Sequence, residues 1–129
     1  MRIRTALCII AGIYLLNWVV AFTGIAFRWE AIDVLFHFAG GFMQAVLAMG
    51  ILTASRIQSL PKWFTFLFAV GFAAIISVSW EIIEFIQLYF FPQNELFIDL
   101  TIRDMLGDFT NDGLGAIAAW LIFHKKQDN

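Results

Sequence analysis

The chain has 129 residues, 61% of them hydrophobic and 14% charged, with a net charge of −2. A water-soluble domain this short leaves too much of its chain exposed to hide that much apolar surface, whereas in a bilayer lipid is the solvent. A single cysteine, Cys8, excludes a disulfide framework, and no basic patch points to a nucleic-acid partner.

Four apolar runs are long enough to cross the ~30 Å hydrocarbon layer, which takes about 20 helical residues. They predict an all-α membrane protein, a single domain over 1–129, with transmembrane helices near 5–27, 32–54, 63–90 and 104–123. Arg2 and Arg4 precede the first run as in a secretory signal. The run is longer than a signal core of about 7–15 residues and lacks a small-x-small cleavage site, so it is expected to stay as a span. Its Asn17, Ala21, Gly24 and Arg28 share one helical stripe.

The second run enters with Asp33, and Asp33, His37, Gly40 and Gln44 align on one face. In the third, Ser77, Glu81 and Glu84 align, and Pro92 ends the helix. An outer loop at 91–103 mixes Glu95, Asp99 and Arg103 with Leu96, Phe97 and Ile98, which suits an amphipathic flap. The fourth run carries Asp104, Asp108, Asn111 and Gly115 on one stripe, with Asp112 one position around. Small residues such as Gly40, Gly41, Gly115 and Ala118 allow close helix approach.

Lys and Arg set the orientation. With the N-terminus inside, Arg2, Arg4, Arg56, Lys62, Lys125 and Lys126 fall on the cytoplasmic side and only Arg28 and Arg103 outside. The positive-inside rule therefore predicts a multi-pass protein of the cell inner membrane with both termini cytoplasmic. Six carboxylates (Asp33, Glu81, Glu84, Asp104, Asp108, Asp112) and His37 then share the outer half of the bundle. Charges at such depth are rare and usually face a bundle interior or water.

Six carboxylates this close need counter-charge, from protons, cations or separation by water. A divalent metal (Mn, Zn, Fe or Mg) held by His37, Glu84, Asp108 and Asp112 is one expectation, since oxygen ligands with one imidazole suit these ions. Arg28 and Arg103 would then contact an anionic ligand, with Asn111 and Gln87 adding neutral hydrogen bonds. Glu81 is the candidate general base should a metal-activated water do chemistry. An ion relay would need polar residues through the inner half, where only Asn17, Gln44 and Thr53 occur. At the mouth positions, Asp33 and Asp104, a helix-cap or site-rim role is expected. His124, in the last basic stretch, is expected to be solvated.

Asp33-x-x-x-His37-Phe38, Glu84-x-x-Gln87 and Asp108-x-x-x-Asp112-Gly113-x-Gly115, with Arg103 shortly before, resemble the motifs of the VanZ-like group of small bacterial membrane proteins. Trp80-Glu81-x-x-Glu84 is closer to the related YjdF-type inner-membrane proteins. Asp112 stands where VanZ-like proteins usually carry Asn. The resemblance implies an envelope role facing outward, linked to low-level glycopeptide resistance, and supplies no reaction. Three functions stay open: a cation-binding cavity for a polar or lipid-linked envelope ligand; a metal-dependent hydrolase or transferase acting on lipid-linked phosphate; and a structural or accessory membrane protein without a small-molecule site.

Overall fold

A computed structural model describes residues 3–23, 30–55, 60–90 and 101–124. They form four helices: α1 (Ile3–Phe22), α2 (Glu30–Ala54), α3 (Lys62–Phe90) and α4 (Ile102–Phe123). The protein is an all-α membrane bundle, with no strand among the described residues. Helix starts fall within two residues of those expected. Arg28 and most of the expected outer flap, 91–100, lie outside the described residues.

Three helices, α1 to α3, are long and apolar enough to cross a membrane. The fourth carries Arg103, Asp104, Asp108 and Asp112 in its first half, which lowers its hydropathy. Its 22 residues still reach about 33 Å at 1.5 Å per residue, and Asp108 and Asp112 are buried within the bundle. The Asp108 and Asp112 carboxylates are turned inward, away from the surface that lipid would touch.

The second helix is the hub, packed against all three others and most extensively against α4. His37 meets Asp108 near the start of both helices, while Ala45 and Met49 share a core with Ala116 and Ala119 near their ends. Thus α2 and α4 run in the same direction. Ser77 of α3 reaches Asp112, and Thr65 of α3 accepts from Trp120 Nε1 at 3.1 Å, so α3 runs the opposite way. The same logic places α1 antiparallel to α2, since Tyr14 meets Gln44 and Ala6 packs with Leu47.

Two glycines make the α2–α4 contact possible. A Cβ on Gly41 would run into the backbone of Asp112, and one on Gly115 would sit 2.8 Å from the Phe42 nitrogen and closer still to the Phe38 carbonyl. Backbone here touches backbone, as small residues permit between membrane helices. Beyond this seam lies an apolar core of Ala45, Val46, Met49, Ala69, Ala73, Ala116 and Ala119. The chain is therefore polar at one end of the bundle and dry at the other. His124, expected to be solvated, instead stacks its ring on Trp120 with centroids 4.2 Å apart at the end of α4.

Candidate functional site

Helical spacing assembles the polar end. Asp33 and His37 are four residues apart on α2, and Asp108 and Asp112 four apart on α4, so each pair lines one face of its helix. The glycine seam brings the two faces together around the His37 ring, which is 8% exposed. Its Nε2 lies 3.7 Å from Asp33 Oδ1 and 3.5 Å from Asp108 Oδ1. One donor atom from each of the three residues lies within 4.8 Å of the other two. The Asp108 side chain is enclosed, whereas that of Asp33 is 40% exposed, so the group opens past Asp33.

These distances separate two roles for the ring. An N–H···O hydrogen bond spans about 2.7–3.2 Å, and both Nε2 contacts are longer. Around a tetrahedral ion with bonds of about 2.0–2.2 Å, neighbouring ligand atoms stand roughly 3.3–3.6 Å apart. The Asp108 contact falls in that range and the Asp33 contact just beyond it. The opposite nitrogen behaves differently: Nδ1 is 3.2 Å from Asp112 Oδ2, at the limit of a hydrogen bond. The same oxygen accepts from Ser77 Oγ at 2.5 Å. A carboxylate that holds one ring N–H fixes the tautomer and aims the other nitrogen.

Glu81 adds a further buried acid. It is 3% exposed, and neither carboxylate oxygen has a hydrogen-bond partner. It lies close enough to His37, Asp104, Asp112 and Asp33 to interact with each electrostatically. Leaving a buried carboxylate unpaired is costly, and a nearby cation is one way to offset it. Glu84, one turn farther on, is half-buried and within electrostatic reach of Glu81, His37 and Asp33.

Of the metal set expected from sequence, His37 and Asp108 come together, and Asp33 joins them. Asp112 lies on the other ring nitrogen, and Glu84 is outside the three-residue group. Of the helix-cap or site-rim roles expected for Asp33 and Asp104, the helix-cap role is corrected. Asp33 is three residues inside α2, and the N-cap of α4 is Thr101, whose side chain accepts from the Asp104 backbone N–H at 3.1 Å. Asp104 sits in the first turn, where its negative charge meets the positive helix end. Arg103 is exposed at the start of α4, and Asn111 is half-buried next to Asp112. Arg28 and the Gln87 side chain lie outside the described residues. Tyr14, whose hydroxyl accepts from Gln44 Nε2 at 2.8 Å, was not singled out by sequence; a tyrosine inside an apolar run gives no spacing signal.

The chain belongs to the family described as predicted membrane protein (DUF2238), whose profile matches residues 3–129. No curated protein and no solved structure matches it.

Proposed function

We propose that this member of the family holds a divalent cation between α2 and α4, in a polar chamber facing the extracytoplasmic side of the inner membrane. One observation carries the proposal: His37 Nε2 stands 3.5 and 3.7 Å from two carboxylate oxygens, too far for hydrogen bonds and spaced like ligands of one ion. Asp33, His37 and Asp108 are the ligands, and Asp112 orients the ring. Glu81 and Glu84 enrich the chamber in negative charge. A mixed oxygen and imidazole set suits Zn²⁺, Mn²⁺ or Fe²⁺, with Mg²⁺ favoured less. The Lys and Arg distribution supports the outward orientation with both termini cytoplasmic.

Three protein ligands leave room for a further one. In an outward-facing chamber the natural occupant is the phosphate or carboxylate of an anionic or lipid-linked envelope ligand, with Arg28 and Arg103 as charge partners and Asn111 and Gln87 as neutral ones. The resemblance to the VanZ-like group is in keeping with such an envelope role. Glu81 favours a second reading, a metal-dependent hydrolase or transferase acting on lipid-linked phosphate. A metal-bound water becomes a nucleophile near neutral pH, and an unpartnered buried carboxylate is suited to take its proton.

Metal analysis of the detergent-purified protein tests the first reading. Stoichiometric Zn, Mn, Fe or Mg is expected in the wild type and its loss in His37→Ala and Asp108→Ala, with helical content retained. Folded wild type that takes up none of the four ions would overturn the cation reading. Phosphate release from undecaprenyl- and glycerophospholipid-type substrates tests the second, and equal turnover by Glu81→Gln removes that residue as base.

A further inference from the structure

A small cavity, lined by apolar side chains such as Ile13 and Phe36 together with several polar ones, lies on the other side of the His37 ring, where Nδ1 meets Asp112. Tyr14, Asn17, His37, Gln44, Trp80 and Asp112 supply its chemistry. It is partly open, and the volume available to water-sized molecules is about 20 Å³, room for a single small group. Gln44 is 4% exposed and lines it; Nε2 donates to Tyr14, while Oε1 has no hydrogen-bond partner. A buried acceptor without a donor is costly, and a donor-bearing occupant that reached Oε1 would relieve it.

The rest of the lining narrows the chemistry. The Asp112 carboxylate contributes negative charge, and among the described residues no Lys or Arg lines the cavity, which disfavours an anion. Tyr14 and Trp80 stack with centroids 5.0 Å apart and place aromatic surface beside it, an environment that attracts cations. A divalent metal fits poorly here, because among the described residues Asp112 is the one carboxylate in the lining and the His37 nitrogen on this side is taken up by it. We infer that this cavity binds a primary ammonium group. Such a group carries three N–H donors and no acceptor, which matches Gln44 Oε1, the Asp112 carboxylate and the Asn17 amide oxygen. A quaternary ammonium has no N–H to offer and is too bulky for the space. The amine can come from a small free molecule or from an ethanolamine-type lipid headgroup; the recognised chemistry is the same.

Binding of radiolabelled methylammonium to the full chain in detergent micelles, followed by scintillation proximity, tests the inference. Saturable binding is expected, weakened at least tenfold in Gln44→Met, strengthened in Gln44→Glu, and not competed by tetramethylammonium. The Gln44→Met protein is expected to keep its helical circular dichroism and its divalent-cation uptake, which separates this cavity from the Asp33–His37–Asp108 site. In nanodiscs, competition by phosphatidylethanolamine but not phosphatidylcholine identifies the headgroup as the source; equal binding in both lipids identifies a free amine. Absence of saturable binding, equal competition by tetramethylammonium, or wild-type affinity in Gln44→Met would each overturn the inference.

Discussion

Replacing Asp112 with Asn distinguishes a residue that aims His37 from one that binds metal itself. Asp112 Oδ2 accepts from both His37 Nδ1 at 3.2 Å and Ser77 Oγ at 2.5 Å. Asn keeps the shape but exchanges one carboxylate oxygen for an N–H₂ group and removes the charge. The amide oxygen, placed where Oδ2 stands, can still accept from both His37 and Ser77, but the imidazole loses the anionic partner that makes it a stronger ligand. Loss of such an orienting contact typically weakens metal affinity about 10–100-fold, or roughly 1.4–2.8 kcal/mol. Competition with a fluorescent zinc chelator in micelles measures this directly. Asp112→Asn is expected to fall between wild type and His37→Ala, which should show no specific uptake. Affinity within twofold of wild type would mean that the Asp112 contact does not orient the ring. Complete loss, as in His37→Ala, would place Asp112 among the ligands, as the sequence alone suggested.

Gly115→Ala forces the α2–α4 seam apart and should destabilise the detergent-solubilised protein by about 1–3 kcal/mol, as overpacking usually does; an unchanged thermal midpoint would contradict the backbone contact. Glu81→Leu should raise the midpoint of metal-free protein, because it removes a buried carboxyl without a hydrogen-bond partner, a cost of about 1–3 kcal/mol. A lower midpoint would reveal a partner for Glu81 in the folded state. Fluorescent-protein fusions at each terminus should both fluoresce and alkaline phosphatase fusions at both should be inactive, and an active phosphatase at either end would invert the depth assigned to the acidic residues.

The helices were legible because lipid demands long apolar runs, and that demand sets both their number and their limits. The pairing of Asp33 with His37 and of Asp108 with Asp112 was legible too, since four-residue spacing fixes a common face. Which side of the imidazole each carboxylate takes was not, because it depends on how closely α2 and α4 approach and in what register. That register is set by Gly41 and Gly115, and spacing within one helix carries no record of it. Asp33 illustrates the gap. At a span mouth it reads as a cap or rim residue, and only the position of Asp108 draws it into the group. Thr101 is the converse case. The spacing from Thr101 to Asp104 is that of a capping box, so the true N-cap was present in the sequence.

The glycine seam links packing to the site. His37 and Asp108 belong to different helices, and their contact at 3.5 Å requires backbones close enough that no Cβ fits at Gly41 or Gly115. Close approach at the polar end would gather Asp33, Asp108 and Asp112 at the cost of mutual repulsion, were His37 not between them. One imidazole faces three carboxylates there, with Glu81 buried nearby and unpartnered. A bundle held together only for structure would be better served by apolar residues at these positions, because breaking even between burial and pairing of charges is difficult. Four acids around one histidine, at a helix contact too close for a Cβ, are in keeping with the proposal that a cation completes the set. The same glycines that let α2 and α4 touch are therefore part of the site, and their replacement should impair cation binding together with stability.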